Sequence, residues 1–180
     1  MKFVDEATIT VRSGNGGPGC TSFRRERFIE KGGPDGGDGG DGGHVILRTD
    51  RRIRTLQDYR RQKLFSARNG GPGRGQQKHG KNGQDIYLDL PPGTLVMDAE
   101  TGSLIADLTE ESHTYILARG GKGGRGNKRF ATSTNRAPRY SQPGLPGLEL
   151  TIKLELKLLA DVGIIGLPNA GKSTLIRRIS

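Results

Sequence analysis

Apolar and polar residues alternate along seven stretches of the chain, and a period of two residues is typical of half-buried β-strands. In the first stretch Ala7, Ile9 and Val11 alternate with threonines. The seven stretches are 2–12, 44–49, 85–90, 94–97, 103–108, 114–118 and 148–159. The pattern predicts a mainly β, meander-like fold with little helix before residue 170. Turn residues between Asp98 and Gly102 predict a hairpin.

Glycine-rich segments separate these strands, and they have a period of three residues. Acidic residues occupy every third position of one segment, namely Asp35, Asp38 and Asp41. Basic residues do so in another, namely Lys122, Arg125 and Lys128. Polyproline II has three residues per turn, and several such helices pack closely only where side chains are absent. We therefore predict packed polyproline-II-like segments held by the strands, in preference to a flexible linker.

The same spacing places each set of charges along one edge of its segment. Either the acidic edge faces the basic edge, or the basic edge faces an RNA partner. Spacing alone leaves both arrangements open.

Positive charge is concentrated in two parts of the chain, whose overall net charge is +10. Residues 51–81 are net +9 and residues 119–148 are net +7, which leaves −6 for the other residues. Clustering of this size favours a partner with a phosphate backbone over a merely solvated surface. Such side chains contact phosphates more than they read bases. The candidate RNA-binding residues are Arg74, Lys78, Lys81, Lys122, Arg125, Lys128 and Arg129.

Three phenylalanines, Phe23, Phe28 and Phe130, lie near glycine-rich segments. They could stack on bases, but we favour packing against bare backbone.

The sequence gives little support for a disulfide framework, a metal site, a signal peptide or a membrane span. The single cysteine, Cys20, excludes a disulfide framework. The three histidines (His44, His79 and His113) are too far apart in sequence to predict a metal site. Charged residues at the start differ from a signal peptide, and no apolar run approaches the roughly 20 residues of a membrane span. We expect a soluble cytoplasmic protein.

The last part of the sequence carries a phosphate-binding motif. Residues 161–165 predict a short buried strand, and helical character begins at Leu175. Between them lie Gly166, Leu167, Pro168, Asn169, Ala170, Gly171, Lys172, Ser173 and Thr174, which match the P-loop pattern in its strand–loop–helix setting. The two glycines let backbone N–H groups curl toward phosphate oxygens. Lys172 supplies a charge to the β- and γ-phosphates, and Ser173 offers its hydroxyl to Mg²⁺.

The P-loop does not distinguish ATP from GTP, because both nucleotides carry the same phosphates. The sequence reaches Ser180 before any switch or guanine-reading loop. We therefore expect the 180-residue chain to lack hydrolysis and residues 161–180 to be weakly held.

Several motifs together resemble the bacterial Obg (CgtA) GTPases. They are residues 22–26, the Gly-Gly-Asp repeats of 32–43, the segment 120–127, and 159–163 leading into the P-loop. The resemblance runs through essentially all 180 positions. It implies an Obg domain over residues 1–158, with polyproline-II helices on a small β-barrel base. It also implies that an α/β G domain begins at 159, of which 159–180 are the first part.

The resemblance further implies binding of GTP, GDP and the alarmone ppGpp, and slow, Mg²⁺-dependent hydrolysis of GTP. Ser173 would hold the Mg²⁺ ion, and Asn169 matches an asparagine that holds K⁺ in some related GTPases. The implied partner is the large ribosomal subunit and its rRNA, during late assembly and stress. A monomer is expected.

Three hypotheses follow. The first is an Obg-type GTPase that docks on rRNA through its glycine-rich domain. The second is a non-enzymatic rRNA-binding wedge, which is what the chain as given can do. The third is a P-loop ATPase with a disordered glycine-rich arm.

Overall fold

The computed structural model describes residues 6–25, 32–109 and 113–157. These ranges contain short strands and very little helix. The strands are β1 (Glu6–Arg12), β2 (Val45–Thr49), β3 (Leu64–Ser66), β4 (Ile86–Leu90), β5 (Thr94–Asp98), β6 (Leu104–Leu108), β7 (Thr114–Ala118) and β8 (Glu149–Leu156). The helices are α1 (Gln57–Arg61) and a 3₁₀ turn (Asn127–Phe130). Each of the seven stretches with an alternating pattern contains a strand, so the mainly β prediction is confirmed.

The strands form two sheets, with the orders β3-β1-β8-β5-β6 and β4-β2-β7. β1–β3 and β2–β4 are parallel pairs, and the others are antiparallel. The meander-like prediction is wrong, because only β5 and β6 are neighbours both in sequence and in a sheet. Glycine-rich segments intervene elsewhere and return the chain to a distant partner. In the described ranges the base is two open sheets and not a closed barrel.

The two sheets share one hydrophobic core. The alternating side chains of β1, Ala7, Ile9 and Val11, are all buried in it. Side chains of the size of Ile9 and Val11 contribute roughly 1.5–3 kcal/mol each when fully buried. Leu148, which belongs to the alternating pattern of the last predicted strand, is 53% exposed because β8 begins one residue later.

The predicted hairpin is confirmed. β5 and β6 pair antiparallel, and Oδ1 of Asp98 accepts the backbone N–H groups of Glu100 and Thr101 at 2.8 and 2.9 Å. Gly102 completes the turn with φ +68°, a value that glycine adopts without strain.

Helix α1 and strand β3 lie in the basic stretch and were not predicted from the sequence. The ring of Tyr59 in α1 is buried and lies 5.4 Å from the Phe65 ring in β3. Its hydroxyl donates to the Asp89 carbonyl oxygen at 2.7 Å. Burial, with a contribution from Asp89, raises the pKa of Tyr59. Neither helix within the described ranges is long or apolar enough to cross a membrane.

Six glycine-rich segments pack side by side, and we call them the glycine bundle. They are residues 13–20, 35–44, 67–75, 77–85, 119–127 and 141–148. Each segment adjoins the end of a strand, so one end of the bundle lies at the sheets. The other end, which we call the tip, comprises residues 20–25, 32–38, 74–79 and 127–142 among those described.

Backbone hydrogen bonds join the segments of the bundle at every third residue. In one antiparallel pair, Gly14, Gly17 and Cys20 donate to Gly43, Gly40 and Gly37 at 2.9, 2.8 and 2.9 Å. The segment 35–44, which we call the central segment, also donates to two other segments. Gly39 and Gly42 donate to Gly124 and Gly121 in one of them, and Gly40 and Gly43 donate to Gly71 and Arg68 in the other. The prediction that the glycine-rich segments pack is confirmed, and the flexible-linker alternative is wrong for these residues.

Close approach explains the glycines. A Cβ atom added at Gly39 would overlap the carbonyl oxygen of Gly17. Because real Cβ atoms cannot occupy such positions, the segments can lie this close only without side chains.

The register of the bundle continues into the sheet. Four side chains each accept a hydrogen bond from a backbone N–H group that lies 41 residues away in the adjoining segment. From the tip to the start of β4, they belong to Asp35, His79, Asn82 and Asp85. The parallel pair β2–β4 keeps the same offset, with Val45 opposite Ile86. Bundle and sheet therefore share one alignment.

Candidate nucleic-acid interface

All seven candidate RNA-binding residues are exposed. Arg74 and Lys78 lie beside each other at the tip, where the Arg74 N–H donates to the Lys78 carbonyl oxygen at 2.9 Å. Lys81 lies three residues further toward the sheets, and its carbonyl oxygen accepts the Gly71 N–H at 2.7 Å. These three residues belong to one pair of adjacent segments.

Lys122 and Arg125 lie along the flank of the bundle. Their carbonyl oxygens accept the N–H groups of Leu145 and Gln142 at 2.8 and 2.9 Å. Their side chains are exposed, so the backbone is used for packing while the charge projects outward.

Lys128 and Arg129 bring this flank into contact with the tip. Nζ of Lys128 donates to Oε1 of Gln77. The Arg129 guanidinium donates to Oδ2 of Asp38 through Nε at 3.0 Å and lies 2.9 Å away through a terminal nitrogen. Four of the candidates, Arg74, Lys78, Lys128 and Arg129, therefore lie around one end of the bundle, whereas Lys81 lies nearer its middle.

The acidic edge of the central segment faces the backbone of the basic segment and not its side chains. Oδ1 of Asp38 accepts the Gly126 N–H at 2.8 Å. Oδ1 of Asp41 accepts the Gly123 N–H at 2.7 Å. This geometry leaves Lys122 and Arg125 exposed, so the arrangement in which the acidic edge faces these basic side chains is wrong.

Asp38 is held in its charged form. Burial of the carboxyl opposes ionisation, but the Gly126 N–H and the Arg129 guanidinium outweigh it, with His79 adding to them, and together they lower the pKa of Asp38. Nδ1 of His79 accepts the Asp38 N–H at 3.2 Å. The Asp38 charge is thus compensated within the fold.

The described residues of the tip are strongly basic at the surface. Their acidic residues are Asp35, which is 7% exposed, and Asp38, which is paired. Sequence reasoning did not single out Arg136 and Arg139, which are also exposed here. The net charge of residues 119–148 already contained that signal.

Asn127 is a structural residue that sequence reasoning missed. It is fully buried, and its Nδ2 donates to the carbonyl oxygens of Ser22 and Pro138 at 3.0 and 3.1 Å. It links separate segments at the tip and fixes the orientation of the basic turn that follows.

The aromatic side chains at the tip mostly pack within the protein. The Phe130 ring lies 5.0 Å from the Tyr140 ring. Phe23 forms an isolated β-bridge with Pro34 and is half-buried. Phe28 lies outside the described residues.

The predicted phosphate-binding loop, residues 166–174, also lies outside the described residues. This includes Lys172, the proposed Mg²⁺ ligand Ser173 and the proposed K⁺ ligand Asn169. Within the described ranges, no group of three or more His, Cys, Asp or Glu side chains is placed to hold a metal ion.

Comparison with known proteins gives consistent matches over the whole chain. A family model described as GTP1/OBG matches residues 4–158. The chain is 67% identical over 180 residues to the GTPase Obg of Desulforapulum autotrophicum, covering all of this chain and 52% of that protein. It is 61% identical to the GTPase Obg of Syntrophotalea carbinolica and 59% identical to that of Desulfosudis oleivorans, covering 51% and 54% of those proteins. The chain therefore spans about half the length of the curated relatives it matches.

Proposed function

Since this chain belongs to the GTP1/OBG family, we propose that its glycine bundle is the RNA-binding module of a GTP-binding protein that acts on the large ribosomal subunit. Residues 1–158 would form the Obg domain, and the G domain would begin at 159. The RNA-binding part of the proposal depends on the described residues, and the nucleotide-binding part depends on the sequence of the P-loop.

One observation carries the RNA-binding proposal: acidic groups at the tip turn inward while basic groups project outward. Asp35 is buried and Asp38 is neutralised by Arg129, whereas Arg74 and Lys78 are exposed. A rigid backbone with outward Lys and Arg side chains suits the phosphates of folded RNA. Contact with phosphates positions the protein by shape and charge.

Stiffness of the bundle supports the same function. We propose that its segments are polyproline II helices, as the three-residue period of their hydrogen bonds would require. Gly126, with φ −71° and ψ 162°, lies close to that conformation. A stiff bundle of this kind can enter a cleft in RNA without the entropy cost of ordering a flexible arm.

For the nucleotide we propose GTP and GDP, with ppGpp as a further ligand, bound by residues 166–174 with Mg²⁺ on Ser173 and K⁺ near Asn169. The intact protein would be a slow GTPase, and the 180-residue chain would be inactive. We further propose a cytoplasmic monomer that acts in late ribosome assembly and stress or growth control.

Sedimentation of the full-length protein with large ribosomal subunits tests this function. It would be compared under GTP, a non-hydrolysable analogue, GDP and no nucleotide, with Lys172→Ala as the nucleotide-site variant. We expect co-sedimentation that depends on nucleotide in the parent and not in Lys172→Ala. If about five phosphates are contacted, affinity falls roughly tenfold per doubling of salt. Co-sedimentation that ignores salt would contradict the phosphate-contact proposal.

The structure favours one alternative function for the chain as given, a non-enzymatic rRNA-binding wedge. The six segments of the bundle are joined to one another by backbone hydrogen bonds between described residues. Subunit binding by residues 1–158 without nucleotide would support this alternative. Competition between GTP and ATP on the full-length protein separates both proposals from the ATPase hypothesis.

A further inference from the structure

We propose that a cavity at the tip accepts one unpaired nucleobase of the RNA partner, and that the Asp35 carboxylate accepts a hydrogen bond from the exocyclic amino group of that base. This inference rests on the proposed RNA-binding function. It adds selection among bases to an interface that otherwise recognises shape and charge.

The first step is the unmatched hydrogen-bonding capacity of Asp35. Asp35 is one of the residues that line the cavity, and it is 7% exposed. Oδ2 accepts the Gln76 N–H at 3.1 Å, whereas Oδ1 is buried and has no hydrogen-bond partner. Buried polar atoms are nearly always paired, because an unpaired one loses its hydration without compensation. Oδ1 is therefore an acceptor that no group of the fold satisfies.

The second step is the backbone that forms the opposite wall. Gln76 and Gln77 have φ values of +59° and +57°, a left-handed region that residues other than glycine seldom adopt. This turn directs the Gln76 N–H at Asp35, while Asp35 N–H donates to the Ser22 carbonyl oxygen at 2.9 Å. Strained backbone of this kind is concentrated at functional sites. Asp35 is thus held through its carboxylate and through its backbone, and one carboxylate oxygen is left without a partner.

The third step is the size and charge of the surroundings. The cavity has a volume of about 430 Å³ and is lined by residues 21–25, Asp35 and residues 75–76. Sites for small ligands usually span roughly 300–1,000 Å³. A second hollow of about 660 Å³ shares Thr21, Phe23, Arg24 and Arg25 with the cavity. Among the described residues, its lining includes Arg24, Arg25 and Arg139 and no acidic residue.

These features favour a nucleotide over a metal ion. A cation would meet one carboxylate oxygen and the repulsion of nearby guanidinium groups. A nucleotide offers both complementary parts, because its base donates N–H groups and its phosphate pairs with arginine. The base would enter beside Asp35, and the phosphate would face the hollow lined by Arg25 and Arg139.

The proposed contact predicts a preference among bases. Adenine, cytosine and guanine carry an exocyclic amino group, whereas uracil carries a carbonyl oxygen at the equivalent position of cytosine. Where the base presents this exocyclic group to Asp35, a carboxylate oxygen accepts from the amino group and repels the carbonyl oxygen. The cavity should therefore discriminate against uridine.

The test measures the affinity of the 180-residue chain for oligocytidylate, oligoadenylate and oligouridylate of equal length, and for large-subunit rRNA, at fixed salt. The variant is Asp35→Asn, whose amide oxygen can still accept the Gln76 N–H while its NH₂ group takes the place of Oδ1. The control is Asp41→Asn, since the Asp41 carboxylate already accepts the Gly123 N–H at 2.7 Å and lies outside the cavity. Thermal unfolding of all three proteins accompanies the binding measurements.

We expect the parent and Asp41→Asn to bind oligocytidylate and oligoadenylate roughly tenfold more tightly than oligouridylate, the worth of one charge-assisted hydrogen bond. Asp35→Asn should lose this ratio and gain affinity for oligouridylate, because its NH₂ group donates to the uracil oxygen. Equal binding of the three oligonucleotides by the parent overturns the inference, even if Asp35→Asn does not fold.

Failure of the inference is distinct from failure of the proposed function. If rRNA binds but the base ratio is the same in parent and Asp35→Asn, the base site is wrong and the RNA-binding proposal stands. If neither rRNA nor any oligonucleotide binds, both are overturned.

Discussion

The backbone N–H of Gly36 donates a hydrogen bond to Oδ1 of Asn127 at 2.9 Å, across 91 residues of sequence and inside the buried part of the tip. A Cβ atom at Gly36 would collide with this same oxygen. The amide nitrogen of Asn127 donates to Ser22 and Pro138 in addition. One asparagine therefore satisfies backbone groups of three separate segments and holds the basic tip together.

Replacing Asn127 with alanine should destabilise the protein by about 3 kcal/mol, because buried backbone groups would lose their partners at a typical cost of about 1–3 kcal/mol each. The midpoint and slope of urea denaturation measure the effect. Asn135→Ala, at an exposed asparagine of the same region, serves as the control and should change stability by less than about 0.5 kcal/mol. Equal effects of the two substitutions would contradict the structural role assigned to Asn127.

Replacing glycine with alanine should have different effects on stability at two positions of the same repeat region. Gly39→Ala should abolish the packed bundle or destabilise it severely, since its Cβ would overlap the Gly17 carbonyl oxygen. Gly33→Ala should be tolerated, because nothing lies within 4 Å of a Cβ at that position. Hydrogen exchange of the glycine amides compares the two variants, and a well-folded Gly39→Ala protein would show that the segments are not closely packed.

Charge reversal at the tip should weaken RNA binding. Arg74→Glu combined with Lys78→Glu removes two exposed cations, so the slope of log affinity against log salt should become shallower by about 1–2. The control is Lys63→Glu, which reverses an exposed cation next to β3, at the sheet end of the molecule. Binding to large-subunit rRNA over a salt series provides the measurement, and an identical loss from the control would mean that only total charge matters.

The lowered pKa of Asp38 predicts that the protein loses stability in acid. Because the fold lowers the pKa of Asp38, its contribution is complete above the ordinary aspartate value of about 3.9 and is lost as pH falls through the lower native value. Asp38→Asn should thus be less stable than the parent near neutral pH, and the gap should narrow below about pH 4. Glu100→Gln, in the exposed hairpin turn, should show no comparable narrowing. Urea midpoints across pH give both curves.

The alternating pattern and the glycine period together identified most of the architecture. Period-two burial located the strands because one face of each sheet packs on the core, as Ile9 and Val11 do. The period of three located the packed segments because glycine is needed wherever two backbones touch. Both signals are local, so they can be found in the sequence.

The order of the strands in the sheets and the three-dimensional arrangement of the tip could not be predicted from local sequence patterns. The pairing of β1 with β8 depends on segments far apart in sequence, and no local pattern marks it. Helix α1 was missed because its anchor, the buried ring of Tyr59, lies within a run of charged residues. Asn127 was visible in the sequence, but its role depends on carbonyl groups that only the folded tip brings together. The conformation of the segments and the nucleotide site stay predictions.

The constant offset of 41 residues between the segments 35–49 and 76–90 restricts how such a chain can change in length. Inserting or deleting one residue inside either segment would move every glycine beyond it away from the backbone it must clear. The same change would turn the side chains of the strand that follows in that segment, β2 or β4, to the opposite face of its sheet. Length differences between related proteins should therefore accumulate where neither alignment applies, as in the exposed turn at Arg51 and Arg52, and be absent inside the segments 35–49 and 76–90.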